Sequence, residues 1–221
     1  MVIDDKTVNI YGESEESVPL IIYHAFQGDG KGVYDEIKKL TDTEFIFAVI
    51  SDIKWNDEMS PWECPPRYIS DEACTGGAEK YLKKLTDIII PKIKEHLKAE
   101  PKYIAITGYS LAGLFSLYSL FHTGIFDSAV SASGSMWYPD FAEYVKKNKF
   151  VTRPRKVYFS LGDKEAETRN QLLSTVKEKT ENIYQILRDR GIDATFEMNP
   201  GNHFKDEDYR MAKGIEWILD Y

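Results

Sequence analysis

Ser110 stands in the run Gly108-Tyr109-Ser110-Leu111-Ala112-Gly113, directly after the apolar stretch KYIAIT and directly before LFSLYSLFH. A serine at a strand-to-helix turn between small residues is the arrangement that exposes a nucleophilic hydroxyl above the edge of a sheet. The small residues are needed because the turn is tight, and a Cβ two positions to either side would collide with the neighbouring strand or helix. Gly108 meets that need fully. The second small position holds Ala112 where the common pattern has glycine, with Gly113 just after, so the match is to a relaxed form of G-x-S-x-G. The N–H of Leu111 opens the helix and, with the positive end of the helix dipole, suits a tetrahedral oxyanion. A bland alternative is a serine that merely caps its helix.

A nucleophilic serine needs a base, and the chain has four histidines. His96 falls near the end of a long helix and His122 at the end of the helix that follows Ser110, where a cation suits the dipole; both read as structural. His24 ends the second strand. His203, in Asn199-Pro200-Gly201-Asn202-His203-Phe204, follows the last strand and precedes the final helix, which is where a base completes the chain order Ser, acid, His. The acid should then follow the strand KVYFSL, in Gly162-Asp163-Lys164-Glu165-Ala166-Glu167. Glu165, at G-x-x-E, is favoured. Asp163 reads as a turn former beside Gly162, and Glu167 or a Ser-His dyad without an acid stays open.

The elements that must hold these groups follow from periodicity. Strands are expected at residues 7–11, 19–25 (PLIIYHA), 44–51 (EFIFAVIS), 102–107 (KYIAIT), 128–132 (SAVSA), 156–161 (KVYFSL) and 194–198. Several are continuous apolar runs, as in strands covered on both faces. Between them run helical stripes: Val33, Ile37, Leu40; then Leu82, Leu85, Ile89, Ile93, Leu97; then Leu172, Val176, Ile183, Leu187 up to Gly191. Pro91 should kink or split the second helix. Alternation of this kind predicts an α/β class with a mostly parallel central sheet flanked by helices. At 221 residues, without repeats or linkers, one domain over 1–221 is expected. Residues 53–77 form the one long irregular segment; its tryptophans, Trp55 and Trp62, predict an ordered loop that covers something. Trp62 and Trp137 are candidates for the rim of a substrate pocket, their aromatic faces suited to an aryl, sugar or acyl group.

Lys plus Arg number 28 against 36 Asp plus Glu, a net charge of −8 that argues against nucleic acid and anionic membrane partners. No apolar run approaches the roughly 20 residues that span a bilayer, and the opening MVIDDK lacks the design of a secretory signal, so a cytoplasmic place is expected. Cys64 and Cys74 are expected to be free thiols, and too few suitably spaced ligands exist for a structural metal site. No cofactor is called for.

The segments GYSLAGLFSLY, SASGSMWYPDF, YFSLGDKE and GNHF, with SPW at residues 60–62 and GGAEKYLKKLTDIIIPKI after it, together resemble the putative-esterase family of α/β-hydrolases. That family includes esterase D and enterochelin, feruloyl and mycolyl enzymes. The resemblance spans nearly the whole chain and implies an α/β-hydrolase fold, here with no room for a separate lid domain. It implies Ser110 as nucleophile, Glu165 as acid, His203 as base, and a second oxyanion amide just past PLIIYHA, near Phe26. HAFQGDG departs there from the family's Asp-Gly pattern. The expected function is a serine carboxylesterase acting on a small-molecule ester. The alternatives are an acyltransferase with the same triad, or a non-catalytic binding module on the same fold; the sequence carries no sign of oligomeric state.

Overall fold

The computed structural model describes residues 1–68 and 70–220. Its strands, in chain order, are β1 (Val2–Ile3), β2 (Lys6–Tyr11), β3 (Leu20–His24), β4 (Ile46–Ser51), β5 (Glu63–Cys64), β6 (Cys74–Thr75), β7 (Ile104–Tyr109), β8 (Ser128–Ala132), β9 (Lys156–Gly162) and β10 (Asp193–Asn199). The helices are α1 (Lys31–Leu40), α2 (Trp55–Glu58), α3 (Ala78–Lys84), α4 (Ile90–Lys94), α5 (Leu111–Ser119), α6 (Phe141–Lys147), α7 (Val176–Asp189) and α8 (Glu207–Leu219). Eight strands form one sheet in the order β1-β2-β4-β3-β7-β8-β9-β10. β1 and β2 pair antiparallel and β2 meets β4 antiparallel, while every pairing from β4 to β10 is parallel.

Side chains that alternate along each strand separate two cores. Leu20 and Ile22 of β3 face the layer that holds Leu85, Ile89, Leu114, Phe115, Val145 and Ile183. Ile21, one residue out of phase, faces the opposite layer with Val33 and Ile37 of α1 and Met211, Ile215 and Ile218 of α8. Both faces of the parallel strands are therefore dry, which is why their sequences read as unbroken apolar runs. All nine residues of α5 are buried.

Two segments refine the sequence expectation. The helix carrying Pro91 is divided just ahead of it: α3 and α4 are joined by a π turn at Leu85–Ile89, and the Ile90 amide donates to the Leu85 carbonyl, five residues back. Proline has no amide proton and crowds the carbonyl four residues earlier, and the wider turn just ahead of it absorbs both problems. The segment 53–77, expected as a long loop, contains α2 and a small hairpin in which β5 and β6 pair antiparallel. Cys64 and Cys74 are directly opposed in that hairpin, buried and free. Among the described residues no helix is long and apolar enough to cross a membrane.

The turn between β7 and α5 explains the glycine pattern. A Cβ on Gly108 would overlap the backbone carbonyl carbon of Ala112 and come to 2.5 Å from its Cβ, so position 108 has no room for a side chain, whereas position 112 carries its methyl against the bare glycine. A Cβ on Gly113 would meet the Ser131 hydroxyl at 2.8 Å and the Gly134 Cα at 3.0 Å, which is where the second glycine is needed. Gly108→Ala is expected to destabilise the fold by about 3 kcal/mol through overpacking, visible as a fall in Tm on the order of 10 °C. Ala112→Gly should lose the helix propensity of alanine, about 1 kcal/mol, and the burial of one methyl, about 0.8 kcal/mol, with no clash. A wild-type melting curve for Gly108→Ala would contradict this account of the turn.

Candidate active site

Ser110 begins where β7 ends, and its backbone lies at φ 58°, ψ −122°. Its amide donates to the Ala132 carbonyl at 3.1 Å, while its own carbonyl accepts from Gly113, Leu114 and Ser135. The sheet register gathers the other segments at the same edge. His24 pairs with Gly108 on parallel strands, so Phe26 and Ser110 each lie two residues past matched positions. Tyr109 pairs with Ala132, which brings Ser133 level with Ser110. Asn199 pairs with Gly162, so the turns after β9 and β10 leave the sheet side by side.

Those two turns carry an acid and a base. His203 Nε2 lies 3.1 Å from Ser110 Oγ, and its Nδ1 lies 2.8 Å from Glu165 Oε2. This spacing suits an Nδ1–H that donates to the carboxylate and an Nε2 that accepts from the serine hydroxyl. The Glu165 side chain is 4% exposed. Burial pushes its pKa up, but the His203 contact, the Ser133 hydroxyl and the Gly162 amide outweigh that and hold it below the usual carboxylate range. Its Oε1 accepts from Ser133 Oγ at 2.6 Å and from the Gly162 amide at 2.6 Å. Asp163 takes a different post: its Oδ1 accepts from the Gly201 amide at 2.8 Å, tying the two turns together. Glu167 lies on the cavity wall and is exposed.

Ser110, Glu165 and His203 open into one cavity of about 420 Å³, walled by Trp137, Leu173, Val176, Phe204 and part of the β5–β6 hairpin loop, including Arg67 and Tyr68. Trp137 lies on that wall, its ring 6.0 Å from the Arg67 guanidinium. Trp62 does not line it. Its indole N–H donates to the Pro139 carbonyl at 3.1 Å, and its ring packs on Tyr138, Phe141 and Tyr144, so the expectation of a pocket-rim role is corrected to one of pinning the hairpin to the α6 region. Leu111 is the first residue of α5, so its amide is among those that a helix leaves without an internal partner. Phe26 is 67% exposed, its ring edge-on to Trp55 at 5.0 Å, and only its backbone concerns the site.

The remaining histidines lie elsewhere. The His96 ring pairs with the Lys92 carbonyl and that of His122 with the Tyr144 hydroxyl. His24 is fully buried, edge-on to Tyr81 and Phe115, and neither ring nitrogen makes a hydrogen bond of ordinary geometry. Burial pushes its pKa down to about 3, against a weaker opposite pull from the Thr107 backbone.

Three residues around the site went unnoticed in the sequence: Tyr109, Ser133 and Arg210. The Tyr109 hydroxyl donates to the His203 carbonyl at 2.7 Å, and Ser133 has a positive φ of 45°. Arg210 is 1% exposed and touches Glu165 Oε1 at 3.2 Å. The available signal was its place in α8, four and eight residues before Gly214 and Ile218 on the buried stripe, where a lone cation calls for a partner.

A mostly parallel sheet with helices on both faces, a serine at the turn after β7, a carboxylate after β9 and a histidine after β10 define an α/β-hydrolase fold. Residues 25–210 match the family described as "Putative esterase". The chain belongs to that family, and so to the ester-hydrolysing enzymes. Among individual proteins it is 27% identical over 172 residues to "Uncharacterized protein YbbA" of Bacillus subtilis (strain 168), covering 73% of this chain and 68% of that protein. Among solved structures it is similar to the siderophore hydrolase EstA from Aspergillus nidulans, with a TM-score of 0.75 at 16% identity over 97% of this chain and 90% of the other. An IroE-like serine hydrolase from Shewanella oneidensis gives a TM-score of 0.78 at 16% identity, over 97% and 75%. At such identities the likeness is one of fold.

The buried histidine sets a pH dependence of stability. His24 stays neutral in the folded chain down to about pH 3, whereas an unfolded histidine takes a proton near pH 6.5. A depressed histidine pKa means that the unfolded state binds the extra proton first, so stability falls as pH drops below about 6.5. Between pH 7 and pH 5 this site should remove about 2 kcal/mol. Urea unfolding of wild type and His24→Leu at the two pH values should show that increment only in the wild type; equal losses in both would refute it.

Proposed function

We propose that the chain is a serine carboxylesterase that works through an acyl-enzyme on Ser110. The observation that carries this reading is the His203 imidazole, spanning 3.1 Å to the Ser110 hydroxyl and 2.8 Å to the Glu165 carboxylate. Ser110 Oγ attacks the ester carbonyl as its proton passes to His203 Nε2. Negative charge then gathers on the former carbonyl oxygen, where the amides of Leu111 and Phe26 supply donors. Glu165 holds the imidazole tautomer and stabilises the imidazolium. That imidazolium protonates the departing alkoxide, releasing the alcohol, and water, deprotonated by His203, cleaves the acyl-enzyme and restores Ser110.

The cavity suits a small ester with an aryl, sugar or acyl portion set against Trp137. The name of the EstA relative favours including siderophore esters among the first substrates tried. Family membership and the complete Ser, acid, His set favour hydrolysis over a binding role.

Ser110→Ala and His203→Ala are each expected to lower turnover of a p-nitrophenyl ester by a factor on the order of 10⁴ to 10⁶ with the fold intact, since the two act as a unit. A fluorophosphonate probe should label wild type at Ser110 and leave Ser110→Ala untouched. Undiminished hydrolysis by Ser110→Ala would end the proposal. Glu165→Gln should cost about 10⁴ in turnover near neutral pH. Asp163→Asn should keep most activity, because Asp163 bonds the Gly201 amide and not the imidazole. The reverse ranking would move the acid assignment to Asp163.

A further inference from the structure

Arg210 is a cation with almost no access to water, and a buried charge is tolerated only when paired and hydrogen-bonded. Its Nη1 lies 3.2 Å from each of three acceptors: Glu165 Oε1, Ser133 Oγ and the Tyr109 hydroxyl oxygen. Its Nη2 donates to the Pro200 carbonyl at 3.1 Å. These acceptors belong to four separate segments: the end of β7 just before Ser110, the turn after β8, the turn after β9 that carries the acid, and the start of the turn that carries His203. Tyr109 extends the chain one step further, since its hydroxyl donates to the His203 carbonyl.

The two oxygens of Glu165 thus have divided duties. Oε2 faces the imidazole, whereas Oε1 is fixed by the Ser133 hydroxyl, the Gly162 amide and the Arg210 fork. Holding Oε1 sets the rotation of the carboxylate, and that rotation sets where Oε2 meets Nδ1. A guanidinium is planar and presents its donors in a rigid fork, which a lysine ammonium cannot reproduce across four segments.

We propose that Arg210 is a positioning residue for the esterase reaction: one buried guanidinium aligns the Glu165 carboxylate and, through Tyr109, the backbone of His203. The inference rests on the triad reading given under Proposed function.

The test compares Arg210→Met, Arg210→Lys and Tyr109→Phe with wild type and Ser110→Ala. The readouts are kcat and KM on a p-nitrophenyl ester, the thermal melt, and the downfield proton resonance of the His203–Glu165 hydrogen bond at a pH where the imidazole is protonated. Arg210→Met is expected to lose about 100-fold in kcat, the scale of an ångström's misplacement, with KM within about threefold of wild type, as expected when ground-state binding is spared. Its downfield resonance should broaden or vanish in the folded protein. Arg210→Lys should recover only a small part of the loss, and Tyr109→Phe should lose about fivefold in kcat, within the range for one hydrogen bond. Arg210→Met that is folded with wild-type kcat, or with an unchanged resonance, overturns the proposal, as does full rescue by lysine. If Arg210→Met fails to fold, wild-type kcat in both Arg210→Lys and Tyr109→Phe overturns it. Turnover that survives in Ser110→Ala sinks the triad reading instead; the resonance comparison, which needs no turnover, then still decides whether Arg210 aligns the pair.

Discussion

The site depends on a backbone conformation that a serine adopts only under constraint. A non-glycine residue in the positive-φ region costs on the order of 1–3 kcal/mol, and Ser110 is held there by its bond to Ala132 and by three amides that converge on its carbonyl. The close passage of α5 over β7, allowed by the missing side chain at Gly108, makes this network possible. With the peptide fixed, His203 must be brought to Ser110 from another segment. The turns after β9 and β10 meet that requirement by leaving the sheet in matched register and by sharing the Asp163 to Gly201 hydrogen bond.

Positions around the serine are therefore set by strands, and orientations by hydrogen-bonded side chains. Buried groups with paired partners carry most of that second task. The Glu165 carboxylate remains ionised despite its burial because its neighbours supply donors to both oxygens. Its charge is thereby kept close to the His203 imidazole and shielded from water.

Much of this architecture was legible in the sequence, and the exceptions share a cause. Strands covered on both faces announce themselves as apolar runs, so β8 falls on residues 128–132 as expected and the other six expected strands shift by a residue or two, while the two-residue strands β1, β5 and β6 are too short to carry such a pattern. The elbow was legible because its steric demand dictates residue types at fixed offsets. Ala112 looked like a weakness in the motif until the structure placed its methyl in the space that Gly108 leaves. What could not be read were features determined by tertiary neighbours. Whether Trp62 faces a cavity or a helix depends on where a hairpin lands, and the role of Arg210 depends on acceptors from four distant segments. Pro91 gave a correct local warning, but a π turn, which has no simple residue signature, answered it.

The hairpin formed by β5 and β6 stands apart from the main sheet, and its feet are secured outside the cavity, one through Trp62 to Pro139 and the other through Thr75 to Asp57. Between these feet runs the loop that lends Arg67, Tyr68 and Asp71 to the cavity wall. None of its described residues belongs to the sheet that places Ser110, Glu165 and His203. Changes of residue on this stretch can therefore reshape the cavity wall without disturbing the strand ends and turns that place Ser110, Glu165 and His203.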